Sequence, residues 1–264
     1  MKRTINILVF SVAIMLIGLS ARAQSSYGEV NFVKVLPNMG DTYLKDMKTS
    51  KKLQDGRVAN KTISSWQLYR RTYPRGSSME YNYATLTVFP SGKEMKAEGA
   101  WDVAMKGLSV KEVSDFFTSI NNARTTVATD LYTYKMGTGS KLIPGEYVQL
   151  NLAKTKPGSI LAYEKQLETF KMVMEECIKA GKLKGFNVWK RAYATNVGGE
   201  SNYTVSFSFS TLDQALSWTS GKTGYSDEYK KLFPKDDINT FNAKFGELRD
   251  LISQELWELV EITD

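Results

Sequence analysis

Residues 30–91 align with residues 150–211 of this 264-residue chain without a gap, at an offset of 120 positions. Thirteen of the 62 pairs are identical, among them Pro37/Pro157, Tyr43/Tyr163, Arg71/Arg191, Tyr73/Tyr193, Glu80/Glu200, Asn82/Asn202, Tyr83/Tyr203 and Phe89/Phe209. Average residue usage gives about four by chance. Conservative pairs such as Trp66/Phe186, Leu68/Val188 and Tyr69/Trp189 add to the match. A looser match continues at an offset of 125, with Phe116/Phe241, Arg124/Arg249 and Leu131/Leu256. A chain built this way is expected to fold the same unit of about 110 residues twice. The boundaries predicted are 28–137 for the first unit, 138–146 for a Gly- and Ser-rich linker, and 147–264 for the second.

Each unit reads in the same order. VNFVKVLP and YVQLNLAK are short β-rich runs closed by Pro or Lys. Residues 39–60 and 158–181 carry helical periodicity, the second with Gly181 as a stop. WQLYRRTYP and FNVWKRAYA alternate as strands, Gly76-Ser77-Ser78 and Gly198-Gly199 supply turns, and MEYNYATLTVF and SNYTVSFSF return as strands. Residues 110–128 and 237–254 are predicted as second helices, with Asp236-Asp237 read as a helix start. LYTYKM and ELWELVEI close the units as strands. The fold class is therefore α+β, with two tandem ferredoxin-like β-α-β-β-α-β repeats. Two such units in one chain resemble the dimeric α+β barrel superfamily. That resemblance implies that the two sheets face each other and close a pseudo-dimeric barrel. A monomer follows as the expected state, because one chain supplies both halves.

The N-terminus is set apart from this pattern. Basic Lys2 and Arg3, an apolar run over Ile5–Leu19 and Ala21-Arg22-Ala23 have the layout of a signal peptide over residues 1–23. No Cys stands at the cleavage point for lipid attachment. The expected location is periplasmic or extracellular in a bacterium, with no membrane span after cleavage. The full chain carries a net charge of +7. Removing the three basic residues of the signal leaves a modest surplus that is interspersed, without the basic stripe of a nucleic-acid interface. The chain contains no His, which closes every mechanism resting on an imidazole base or ligand. Its one Cys, Cys177, sits on an apolar helical stripe and reads as a core thiol. No metal site and no cofactor are expected.

Period two places Gln67, Tyr69, Arg71 and Tyr73 on one strand face, and Asn187, Trp189, Arg191 and Tyr193 on the matching one. With Tyr83 and Tyr203 on the returning strands, these form an expected interior wall of aromatics with one Arg per half. The candidate ligand-binding residues are thus Arg71, Arg191, Tyr69, Tyr73, Tyr83, Trp189, Tyr193 and Tyr203. Each Arg has two readings: it meets an anionic or aromatic ligand, or it pairs with Glu80 or Glu200 inside the fold. The first supports an exported small-molecule binding module. The superfamily resemblance implies an alternative, a cofactor-independent monooxygenase-like enzyme. Its haem-handling members lean on His, which this chain lacks. A filled interior would leave an envelope interaction protein without a pocket. No catalytic residue is assigned.

Overall fold

The computed structural model describes residues 26–74, 80–96, 100–105, 108–194 and 201–263. The expected signal peptide, the turn residues Gly76-Ser77-Ser78 and Gly198-Gly199, and Glu200 lie outside the described residues.

The first half runs β1 (Tyr27–Val35), α1 (Gly40–Ala59), β2 (Ser65–Tyr73), β3 (Tyr83–Phe89), α2 (Ala100–Met105), α3 (Val110–Ala123) and β4 (Arg124–Gly139). The second runs β5 (Tyr147–Thr155), α4 (Ile160–Lys179), β6 (Gly185–Ala194), β7 (Tyr203–Phe209), α5 (Leu212–Thr219), α6 (Ser226–Leu232), α7 (Ile238–Leu248) and β8 (Arg249–Thr263). The eight strands close a barrel in the order β1-β3-β2-β8-β5-β7-β6-β4. Each half contributes its strands in the ferredoxin-like order, β4-β1-β3-β2 and β8-β5-β7-β6. Two seams join the halves, β2 with β8 and β6 with β4, and both are antiparallel. Closure satisfies the sheet edges that two separate units would expose.

Local hydrogen bonds recur at the 120-residue offset. The Asn82 side-chain oxygen accepts from Val35 N at 2.9 Å, and that of Asn202 accepts from Thr155 N at 2.9 Å. Their carbonyls accept from Arg71 N and Arg191 N, both at 2.9 Å. Each Asn thus ties the start of a returning strand to the end of the first strand. The turns entering and leaving the first helix of each half also match. Asn38 and Gly158 both have positive φ (63° and 77°), as do Lys61 and Gly181 (63° and 71°).

The second helices are shorter than the sequence predicts. Helices α3 and α7 end at Ala123 and Leu248, and the chain turns straight into β4 and β8. Pairing decides this: Arg124 and Thr125 register against Val35 and Lys34, while Arg249 and Asp250 register against Thr155 and Lys154. Ladder bonds and β-branched Thr125, Thr126 and Val127 outweigh the helical pattern there. Strand β4 also runs on through Thr138 and Gly139, paired with Phe186 and Gly185. Short helices α2, α5 and α6 were not expected from periodicity. Asp237 caps α7, accepting from Asn239 N and Thr240 N at 3.1 Å each.

Helices cover the outside of the barrel. Tyr43, Met47 and Leu53 of α1 and Phe116 and Ile120 of α3 pack on Trp66, Leu68 and Phe89. In the other half, Tyr163, Leu167, Phe170, Met174 and Cys177 of α4 and Phe241 and Phe245 of α7 pack on Phe186, Val188, Phe207 and Phe209. Full burial of each large apolar side chain contributes roughly 1.5–3 kcal/mol. With the cores outside, the interior face of the barrel is free to carry something else. Among the described residues, no helix is long and apolar enough to cross a membrane.

Candidate functional site in the barrel interior

The interior encloses a cavity of about 450 Å³, within the usual range for small-molecule sites. Inward residues of both halves line it in matched positions: Val30 and Leu150, Phe32 and Leu152, Gln67 and Asn187, Tyr69 and Trp189. Exposed Ser64, Ser140 and Lys141 stand at one end, which is the mouth. Buried Tyr132, Glu255 and Trp257 stand at the other, which is the floor.

The segment between the halves borders the mouth. Ser140, Lys141 and Leu142 line the cavity there. They are held by Ser140 N donating to Lys184 O at 3.1 Å, and by Glu146, which is paired with Leu259 through backbone. The Glu146 carboxylate also accepts Lys184 Nζ at 2.6 Å and Ile143 N at 2.8 Å.

The floor contains both Arg residues singled out by the repeat, but neither reaches the cavity surface. Arg71 donates to Glu255 Oε1 at 2.6 Å, with side-chain exposures of 7% and 4%. Tyr81 Oη donates to the same oxygen at 2.8 Å, and Trp257 Nε1 donates to Oε2 at 3.0 Å. The Arg71 guanidinium lies 4.6 Å from the Tyr81 ring centre and 5.8 Å from that of Trp257. On the opposite side, Arg191 pairs with Asp130 Oδ2 at 2.8 Å, and the Tyr132 hydroxyl donates to that oxygen at 3.2 Å. Each pair bridges a seam, so each Arg of one half is neutralised by a carboxylate of the other. The expected partners Glu80 and Glu200 are replaced by Glu255 and Asp130. Glu80 is exposed, beyond the end of β2, and Glu200 lies outside the described residues. Burial raises the pKa of the Tyr69, Tyr81 and Tyr132 phenols, so all three stay protonated and act as neutral donors.

The remaining predicted site residues fall in three places. Tyr69 and Trp189 line the cavity, as the strand alternation implies. Tyr73 and Tyr193 are 45% and 76% exposed, past the floor and outside the cavity. Tyr83 and Tyr203 are on the other face of their strands, a correction to the expected wall. Tyr83 packs edge-on against Tyr43 at 5.0 Å and Tyr203 against Tyr163 at 5.2 Å, both under the helices. The cause is register. Tyr69 sits opposite Ala84, and Trp189 opposite Thr204; directly opposed residues share a face. The inward residues of the returning strands are therefore Ala84, Leu86 and Val88 on β3, and Thr204, Ser206 and Ser208 on β7.

Asp130, Tyr132, Glu255 and Trp257 were not anticipated. The offset-125 match contained the signal, since it pairs Asp130 with Glu255 and Tyr132 with Trp257 beside the noted Leu131/Leu256. Among the described residues, no group of three or more carboxylate or thiol side chains is arranged to hold a metal ion.

No family model matches the chain, and no curated protein matches it. Solved structures match in shape. An anthrone oxidase-like protein aligns with a TM-score of 0.56 at 10% identity, covering 92% of this chain and 94% of its own. A monooxygenase-like protein from Fusobacterium nucleatum aligns at 0.57 and 9% identity, covering 92% and 95%. Another from Lactobacillus acidophilus aligns at 0.52 and 12%, covering 91% and 96%. The chain has the dimeric α+β barrel fold. At this identity the likeness speaks for the fold alone, and function has to be argued from the interior of the barrel.

Proposed function

We propose that the chain is an exported, duplicated α+β barrel that binds one neutral, largely apolar small molecule in its interior. The observation that carries this reading is the cavity itself: about 450 Å³, with a mouth at Ser64, Ser140 and Lys141, aromatic and aliphatic walls and a few hydroxyl and amide groups. The ion pairs argue for a neutral ligand over an anionic one. Arg71 and Arg191 are both met by carboxylates, so neither presents an uncompensated charge to the cavity. One ligand follows from the divergence of the two walls. Trp189 fills space beside Gly28, where a Cβ would come within 3.1 Å of its ring, whereas the matching Tyr69 has Val148 at the equivalent position.

Extraction of the protein purified from its native compartment, followed by untargeted mass spectrometry, tests this. One small neutral compound per chain is expected, and it should be lost from a Val30→Phe variant that fills the cavity. Retention of the compound in that variant would place it elsewhere. Sequencing of the exported form should give an N-terminus at or near Gln24.

A second reading is oxygenation, favoured by one feature of the floor. Glu255 is a carboxylate on the cavity wall beside Trp257, and the structural neighbours are described as anthrone oxidase-like and monooxygenase-like. In such a reaction the carboxylate takes a proton from a benzylic CH₂. Dioxygen then oxidises the carbanion to a ketone, with one oxygen atom retained and the other leaving as water. Oxygen uptake with anthrone, abolished in a Glu255→Gln variant that circular dichroism shows to be folded, would support it; uptake no faster than without protein, or retained in that variant, would reject it.

A further inference from the structure

Resting on the cavity reading, we infer that strand β7 is the recognition edge of the site: Ser206 and Ser208 hydrogen-bond one oxygen-bearing edge of the ligand, while Ala84, Leu86 and Val88 of β3 accept its apolar edge. The two strands occupy equivalent places in the two halves, and alternate residues of each face inward. Yet polar and apolar residues are exchanged between their faces. On β3 the interior is aliphatic, and Thr85 and Thr87 face outward. On β7 the interior is a hydroxyl row, and Val205 and Phe207 join the helix-covered core.

The row is not explained by internal bonding. Thr204 Oγ1 is buried beside the Tyr132 phenol and is not presented at the cavity surface, so the hydroxyls open to a ligand are those of Ser206 and Ser208. Ser206 Oγ reaches the Asn187 carbonyl only at 3.4 Å, near the limit for a hydrogen bond. A buried hydroxyl without a good partner is costly. Strand geometry spaces the two inward serine hydroxyls about 7 Å apart along the strand. A line of hydroxyls facing an aliphatic wall suits a flat, neutral ring system with carbonyl or hydroxyl groups along a single edge. A ligand polar on both edges would leave groups unpaired against β3, and a pure hydrocarbon would leave β7 unpaired.

The test compares two neutral fluorescent naphthalenes that differ in one carbonyl: 6-propionyl-2-(dimethylamino)naphthalene and 2-(dimethylamino)naphthalene. Both are titrated into the native protein and into the variant Ser206→Ala/Ser208→Ala. The ketone is expected to bind the variant about tenfold more weakly, the scale of one lost hydrogen bond, with its emission shifted to the blue. The ketone-free compound should change by less than about twofold on the same scale. Should the double variant fail to fold, Ser206→Ala and Ser208→Ala singly are to show the same difference. Equal changes for both compounds, or none, with the native protein binding both, would overturn the inference and leave the cavity reading standing. Failure of the native protein to bind either would overturn both.

Discussion

At the scale of single residues, the interior depends on buried charge being matched. Removing one member of a buried pair strands the other. Arg71→Met is therefore expected to destabilise the fold by about 3 kcal/mol, because Glu255 is left buried with only neutral donors. Adding Glu255→Gln should restore much of that loss, since an amide oxygen can still accept from Tyr81 or Trp257. Urea unfolding of the single and double variants measures the difference, and an additive result would show that the pair is not coupled. Cys177 gives a pH signature. Burial first, then the nearby Glu228 carboxylate, pushes its thiol up to about 12. The folded state thus favours the neutral thiol. Its contribution to stability is intact below the ordinary thiol range and is lost as pH rises from about 8.5 towards 12. At pH 8 a thiol reagent should react with Cys177 only after the protein is denatured; rapid reaction of the native protein would contradict this burial.

At the scale of elements, two features of the connections are testable. Lys61 holds a left-handed conformation (φ 63°) after α1, where the second half uses Gly181. Lys61→Gly should relieve that strain and stabilise the protein by about 0.5–1 kcal/mol, read from the unfolding midpoint. The segment 140–146 is fastened by the Glu146–Lys184 pair at 2.6 Å, with side-chain exposures of 8% and 19%. It borders the mouth of the cavity. Glu146→Gln weakens this fastening by about 1 kcal/mol, which is worth roughly fivefold in a rate. Release of bound 2-(dimethylamino)naphthalene, followed by stopped-flow fluorescence, should accelerate by that factor. An unchanged release rate would mean that the segment does not control exit.

At the scale of the whole molecule, closure of the barrel within one chain removes the need for a second copy. Both seams, β2–β8 and β6–β4, are intramolecular. The protein is expected to sediment as a monomer with a melting temperature independent of concentration. A melting temperature that rises with concentration would indicate an obligate assembly. Closure also explains why the ferredoxin-like halves place their large cores outside. Each sheet has one face toward helices and one toward the opposite sheet, and the second face becomes a chamber that side chains only partly fill.

Local order was legible in the sequence itself. Period two and the Pro, Gly and Asn punctuation mark the strands and turns, the apolar stripes mark α1 and α4, and the 120-residue offset aligns Arg71 with Arg191 and Asn82 with Asn202 because equivalent backbone positions impose equivalent demands. The face of β2 and β6 carrying Tyr69 and Trp189 was readable for the same reason. What tertiary structure decided was everything that depends on which strand lies beside which. The register of β2 against β3 turned Tyr83 outward and Ala84 inward. The seams between halves brought Glu255 to Arg71 and Asp130 to Arg191, across 184 and 61 positions of chain, so proximity in sequence pointed to the wrong carboxylates. The ends of α3 and α7 were set by strand pairing that no local pattern announces. Periodicity assigns a residue to a face; only the closed sheet determines what that face meets.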